Sequence, residues 1–378
     1  MSVYLDNSAT TRVCPEAVEA MTNCMREGFY NPSALYAPAL HSEKRMKECR
    51  EEIMTRLHAK PGSRVIFTSG GTEADNLAIL GQTHFFREGK VLYTAGEHPA
   101  VREPCTHCGP EAAEIPYDRQ GLVDLERLRA MMTPDVRLIC CMQVNNETGA
   151  IQPIQAISRL RDQLCPQAKL HVDGVQGFMR VPLSMSALKI DSYALSGHKL
   201  HAPKGIGALV VSPDVRLFPR QLGGGQENVL RSGTENTPGI AGLLAAIRAY
   251  PQENRMRQVK LRLWQLLREA VPGAAVNGPD PDGDLAAPHI LNVSLPPVRS
   301  ETMLHALEGE GIYVGVGSAC SSHKQKVSGV LKAMNVPAPL AESALRFSLC
   351  PDNTVEEMEQ VAEAIRRNHA VLAKYQRR

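Results

Sequence analysis

Short, nearly continuous apolar runs recur through the first two thirds of the chain, and stretches with helical spacing of apolar positions separate them. Residues 64–68, 90–93, 136–142, 169–172, 192–195 and 207–211 read as strands, and the run at 136–142 reads as a buried one. Helices are expected from Thr72 through Leu80 and over 154–164. This alternation predicts an α/β fold built on a mostly parallel sheet with helices on both faces. In such sheets, ligands bind outside the carboxyl ends of the strands.

From about Ala241 the pattern changes. A long helical stretch runs through Leu261, Leu263, Leu266 and Leu267, and shorter strands follow at 289–293 and 345–349. An amphipathic helix at 355–375 closes the sequence. Pro279 to Gly283 reads as a surface loop. The expected organisation is a large α/β domain over 16–254 and a smaller α+β domain made of 1–15 and 255–378. No internal repeat or low-complexity segment interrupts it.

Composition narrows the function classes. Hydrophobic residues at 43% and charged residues at 22% are ordinary for a soluble protein. A net charge of +2 and 4% aromatic residues give no basic or base-stacking surface, so no direct nucleic-acid partner is expected. No run approaches the roughly 20 apolar residues of a membrane helix, and the first residues do not form a secretory signal. A soluble, cytoplasmic protein is expected. The ten cysteines are scattered, so reduced thiols are the default, and Cys24, Cys140 and Cys141 read as small core residues.

Three segments carry candidate chemistry. In Thr68-Ser69-Gly70-Gly71-Thr72-Glu73-Ala74 a strand ends, a glycine pair turns and a helix begins. Exposed N–H groups at such a helix start suit a phosphate, and a plain glycine turn with a Thr cap is the alternative. In His171-Val172-Asp173-Gly174-Val175-Gln176 an apolar strand delivers a carboxylate to its end. Such a carboxylate needs a cation, a donor or a metal, unless it simply closes an Asx-turn. In Ser196-Gly197-His198-Lys199 a lysine follows an apolar strand. A desolvated lysine there has a depressed pKa and forms a Schiff base, whereas a solvated one is only a surface charge. A strand-end Asp preceding a strand-end Lys by a few tens of residues is the arrangement that pyridoxal 5′-phosphate needs.

With these segments stand Tyr4-Leu5-Asp6-Asn7-Ser8-Ala9-Thr10-Thr11, Val144-Asn145-Asn146-Glu147-Thr148-Gly149, Arg231-Ser232-Gly233-Thr234 and Gly317-Ser318-Ala319-Cys320. Together, in this order and over nearly the whole chain, they resemble the cysteine desulfurases. The branch most similar serves nitrogen fixation and iron–sulfur assembly, within the class V aminotransferases. The resemblance implies a pyridoxal-phosphate fold type I, like that of aspartate aminotransferase, and sulfur removal from L-cysteine to give L-alanine. It implies that Lys199 holds the cofactor and shuttles the Cα proton, that Asp173 pairs with the ring nitrogen, and that Gln176 bonds the phenolic oxygen. His98 would stack on the ring and handle protons. Gly71, Thr72, Ser196 and His198 would hold the phosphate, and Thr234 would reach the phosphate of the other subunit of a homodimer. Asn145 would sit against cofactor and substrate, Asn31 would contact substrate, and Arg346 would clamp the substrate carboxylate. Cys320 would take the sulfur as a persulfide and pass it to an acceptor, either a cluster scaffold or a tRNA-thiolating enzyme. Small residues surround Cys320 and Lys324 and Lys326 follow it, which suits an exposed thiol on a mobile loop. No metal is implied.

Some positions depart from the family pattern. Tyr36 stands where His is usual in Asn31-Pro32-Ser33-Ala34-Leu35-Tyr36, and Cys350 stands where Gly is usual. Cys105-Thr106-His107-Cys108 is a Cys-x-x-Cys pair without a second ligand pair at metal spacing. A pyridoxal-phosphate aminotransferase, a selenocysteine lyase and a non-catalytic sulfur-carrier-binding subunit are the alternative functions.

Overall fold

A computed structural model describes residues 2–86, 88–252, 255–317 and 328–375. Its strands in chain order are β1 (Val3–Leu5), β2 (Arg64–Thr68), β3 (Lys90–Thr94), β4 (Glu111–Ile115), β5 (Val136–Met142), β6 (Lys169–Asp173), β7 (Ser192–Ser196), β8 (Gly207–Val211), β9 (Ala275–Val276), β10 (Ile290–Ser294), β11 (Ile312–Val314) and β12 (Ala344–Ser348). The helices are α1 (Pro15–Arg26), α2 (Ala37–Arg56), α3 (Gly71–Thr83), α4 (Pro99–Thr106), α5 (Leu125–Met131), α6 (Ile154–Leu164), α7 (Thr237–Ala249), α8 (Met256–Ala270), α9 (Ser300–Glu308), α10 (Gly329–Ala333), α11 (Ala338–Glu342) and α12 (Val355–Leu372).

Seven strands form one sheet in the order β2-β8-β7-β6-β5-β3-β4. Neighbours from β7 to β4 pair in parallel, and β8 runs antiparallel between β2 and β7. The sheet is therefore mostly parallel, as its sequence pattern requires. Successive side chains of a strand point to opposite faces, and here both faces are covered. Phe67, Leu92, Ile139, Cys141, Leu170, Val172, Leu195 and Val210 share a core with Cys49 and Ile53 of α2, Ile157 of α6 and Ile240, Leu243 and Ile247 of α7. The alternate residues Ile66, Ala194 and Leu209 pack under Ala74, Leu77 and Ala78 of α3, and Val91, Leu138 and Cys140 pack under Val101 and Cys105 of α4. Burial on both faces explains why these strands read as unbroken apolar runs.

A second core joins the two ends of the chain. Val3 and Leu5 of β1 pack with Leu263 and Leu267 of α8, Leu291 and Val293 of β10, Leu345 and Phe347 of β12, and Met358, Val361 and Ile365 of α12. β1 pairs in parallel with β11, and β12-β10-β9 form a small antiparallel sheet. The change of pattern expected near Ala241 falls later. α7 still belongs to the large sheet's core, and the second core takes over at α8.

Candidate active site

Loops after β2, β3, β5, β6 and β7 open together at the carboxyl end of the large sheet. They bound a cavity of about 260 Å3, closed on other sides by Ser8, Ala9 and Arg346. Each loop brings residues singled out in the sequence. α3 starts at Gly71, so Gly71 and Thr72 present the first turn of a helix to the cavity. A Cβ on Gly71 would lie 2.7 Å from Val175 Cγ2, so only glycine lets that turn approach the loop after β6. Ser196 and His198 line the cavity from the end of β7. Polar groups from both loops thus surround a helix N-terminus, which is how proteins bind phosphate.

Lys199 ends the 3-10 turn Gly197–Lys199 that follows β7, and its side chain turns inward. Its Nζ donates to the carbonyls of Ser8 at 2.6 Å and Ala9 at 2.7 Å. Burial pushes the amine down from 10.5 to about 8; the Arg346 and Arg180 guanidinium groups add to the effect, and Asp6 and Asp173 oppose it. Arg180 also donates from Nη2 to the Lys199 carbonyl. Asp173 is the last residue of β6, and its Oδ1 accepts the Val175 N–H at 2.9 Å. Burial raises its carboxyl to about 7, and neighbouring Asp75 adds to the rise; Val175 N–H, His171 and Lys199 act against it. A carboxyl in this state gains most from a cation placed beside it.

His98 caps the N-terminus of α4, and its ring also faces the cavity. Nδ1 accepts the Ala100 N–H at 3.1 Å, so the proton of the neutral ring sits on Nε2. Burial, with Lys199 and Arg102 nearby, lowers its pKa to about 4 and keeps the ring neutral. Gln176 donates from Nε2 to the Ser8 carbonyl at 3.0 Å. Ser8, Gln176 and Arg346 line this wall, and Ser8 Oγ, Gln176 Oε1 and Arg346 Nε are buried with no partner among the described residues. Buried polar atoms are rarely left so, and three of them around one cavity suit a polar ligand.

Other expected residues lie elsewhere. Asn145 is buried behind the wall: its amide donates to the Gly96 carbonyl at 3.2 Å, and its Oδ1 accepts the N–H groups of Glu147 and Thr148, both at 2.9 Å. The turn after β5 consumes that side chain to satisfy its own buried N–H groups, and Asn146 takes the place on the lining. Asn31 is exposed and closes a local turn by accepting the Ser33 N–H at 2.9 Å. Thr234 is exposed and is not among the residues lining this cavity. Cys320, Lys324 and Lys326 lie outside the described residues. Tyr36 is exposed at the start of α2, against the edge of the Tyr30 ring. Burial raises the Cys350 thiol above its ordinary value, which disfavours the thiolate. Cys105 is buried with its Sγ 3.7 Å from Cys140 Sγ.

The structure also adds residues that the sequence reading passed over. Asp75 of α3 lines the cavity, is 1% exposed, and lies 3.1 Å from His171 Nε2. His171 and Asp173 are two apart on β6 and so face the same side. The segment Asp6–Thr11 meets four of the site residues: Asp6 meets Arg346, Ser8 meets Lys199 and Gln176, Ala9 meets Lys199, and Thr10 meets His198. Its motif was visible in the sequence, but nothing in residues of this kind indicates that their carbonyls face a lysine.

The sequence profile of the family described as Aminotransferase class-V matches residues 3–361. The chain belongs to this family. Among curated relatives, a cysteine desulfurase of Trichormus azollae is 37% identical over 376 residues, covering 96% of this chain and 92% of the relative. Cysteine desulfurase NifS of Azotobacter vinelandii is 37% identical, covering 96% and 91%. Cysteine desulfurase IscS of Methanosarcina thermophila is 39% identical with the same coverage. Among solved structures, a NifS-like protein superposes with a TM-score of 0.89 at 32% identity, covering 98% of this chain and all of the other. SspA in complex with cysteine superposes with a TM-score of 0.82 at 30% identity over 93% of this chain and 100% of that one. Class-V membership agrees with the cavity's position at the strand ends of a mostly parallel sheet.

Proposed function

We propose that the protein is a cysteine desulfurase that uses pyridoxal 5′-phosphate to take sulfur from L-cysteine, leaving L-alanine. The observation that carries this reading is a buried lysine amine, lowered to about 8, sharing one cavity with Asp173, His98 and Arg346. The relatives named cysteine desulfurase and the neighbour solved with cysteine support the choice of substrate. The residues fit the cofactor. Lys199 would hold its aldehyde, and Asp173 the proton of its ring nitrogen. The first turn of α3 with Ser196 and His198 would hold its phosphate, and Gln176 its phenolic oxygen. Bound there, the cofactor supplies a protonated ring that spreads the negative charge left when a Cα proton is removed.

The chain's own groups do the rest. Arg346 binds the α-carboxylate and fixes the amino acid's orientation. Lys199 Nζ, whenever it is not holding the aldehyde, would accept the Cα proton. His98, neutral with its proton on Nε2, would serve proton transfer within the cavity that it lines. The Cys320 thiolate attacks the substrate sulfur. A sulfur–sulfur bond forms as the carbon–sulfur bond breaks, and the electron pair left on the substrate is protonated on the way to alanine. The sulfur on Cys320 then passes to an acceptor protein, for iron–sulfur assembly or tRNA thiolation. In the same proposal the protein is a cytoplasmic homodimer in which the exposed Thr234 completes the partner's phosphate site. The same proposal divides the chain into a domain at 16–254 and one made of 1–15 with 255–378, a reading supported by the presence of two large cores.

The deciding experiment is an absorbance spectrum of the purified protein with pyridoxal phosphate, before and after L-cysteine, with alanine and sulfide measured under a thiol reductant. Equal amounts of alanine and sulfide without any keto acid are expected. Lys199→Ala should abolish both products, and Cys320→Ala should lose most of the activity. Dependence on a keto acid would turn the reading to an aminotransferase, and full activity of Cys320→Ala would remove the persulfide step.

A further inference from the structure

Arg346 is 2% exposed in the middle of β12, yet its guanidinium is only partly satisfied. Nη1 donates to the Asn146 carbonyl at 3.0 Å, and Nη2 donates to Asp6 Oδ1 at 2.6 Å. Nε is buried with no partner among the described residues. An arginine serving only to tie two elements together would have its buried donors satisfied, because each open one costs desolvation without return. The pair instead commits two nitrogens and leaves a third uncommitted in a side chain that lines the cavity.

Asp6 is itself held from several sides. Its residue bridges Ser348 at the end of β12, and its carbonyl accepts the Tyr4 hydroxyl at 3.1 Å and the Ala9 N–H at 2.9 Å. A second, independent feature makes room for the pair. A Cβ on Gly315 would lie 2.7 Å from Asp6 Oδ1, 2.8 Å from Arg346 Nη2 and 3.0 Å from Arg346 Nε. Gly315 and Arg346 also exchange both backbone hydrogen bonds, at 2.9 and 2.8 Å. Gly315 is not at positive φ, so the demand for glycine here is for space. Carboxylate, guanidinium and bare backbone pack as one unit.

We propose that Asp6 is the positioning residue for recognition of the substrate's α-carboxylate: it braces the Arg346 guanidinium over Gly315 and so keeps one of its nitrogens uncommitted for the incoming amino acid. This rests on the desulfurase reading of the site. A long arginine side chain loses rotamer freedom when it binds, and a carboxylate already holding one of its ends removes most of that loss beforehand. This effect belongs to the carboxylate of the ligand, whereas the charge of Asp6 on the Lys199 amine is felt by any amine that enters.

The test compares L-cysteine with cysteamine, which has the same amine and thiol but no carboxylate. Each is titrated into the cofactor-loaded protein, and binding is read from the cofactor's absorbance. Asp6→Ala is expected to weaken L-cysteine about tenfold more than cysteamine, the size of losing one charge-assisted hydrogen bond; its effect on the Lys199 amine falls on both ligands alike and cancels in the comparison. Asp6→Asn should recover most of the loss, because its Oδ1 still accepts from Nη2. Gly315→Ala should reproduce the selective loss, and it serves where Asp6→Ala does not fold. Equal weakening of both ligands, or of neither, overturns the inference. A wild-type chromophore that ignores L-cysteine overturns the desulfurase reading and this inference with it; a wild type that responds beside unaffected variants overturns this inference alone.

Discussion

Burial and two neighbouring guanidinium groups bring the Lys199 amine from 10.5 to about 8, so its reactivity is set within the neutral-to-alkaline range. Only the unprotonated amine attacks an aldehyde, so capture of pyridoxal phosphate by the cofactor-free protein should accelerate as pH rises and level off above about 8. Stopped-flow absorbance would show this; a profile still rising near 10.5 would mean an unperturbed lysine. Asp173→Asn should keep the phosphate and aldehyde contacts but lose the anion beside the ring nitrogen. Alanine formation should then fall at least about a hundredfold, with the cofactor still bound by absorbance. Lys199 and Asp173 were legible because a charged residue at the end of an apolar strand has few reasons to be there. Asn145 was misplaced because its asparagine neighbour, Asn146, has the same chemistry. Only the folded turn shows which one bonds the N–H groups of Glu147 and Thr148.

Elements were legible where burial was two-sided. The runs at 64–68, 136–142 and 207–211 coincide with β2, β5 and β8 to the residue, since each is apolar on both faces of the sheet. β4 escaped notice because Glu111 and Glu114 break its apolar run. Among the described residues it is a sheet edge paired with β3 alone, and an exposed edge tolerates such residues. The turn leaving β6 has a requirement that no propensity expresses. A Cβ on Gly174 would fall 1.8 Å from Tyr193 Cζ, inside a buried ring whose hydroxyl donates to Gln143 Oε1 at 2.6 Å. Gly174→Ala should therefore cost at least about 2 kcal/mol of stability, seen as a lower thermal midpoint together with weakened cofactor binding. An unchanged midpoint would mean that the turn can relax without moving Tyr193.

At the scale of the whole molecule, the mostly parallel sheet could be read from alternation, whereas the meeting of the chain's two ends could not. Three apolar residues at β1 carry no record of β11, their partner strand. Self-association belongs to this scale too: sedimentation should give twice the 41.3 kDa of one chain, and a monomer with full activity would contradict a shared site.

The stitching of Asp6–Ala9 to β12 has a consequence for how the protein comes into being. Asn7 Nδ2 donates to the Ser348 carbonyl at 2.9 Å across 341 positions, and Asp6 reaches Arg346 across 340. A ribosome makes Lys199 and its sheet long before it makes the strand that anchors the lysine's carbonyl acceptors. The large core can assemble during synthesis, while Asp6 and Asn7 gain their partners only once β12 has been made. A product stalled before β12 would then be a folded shell without Arg346, and the cell would be spared a half-made source of free sulfide.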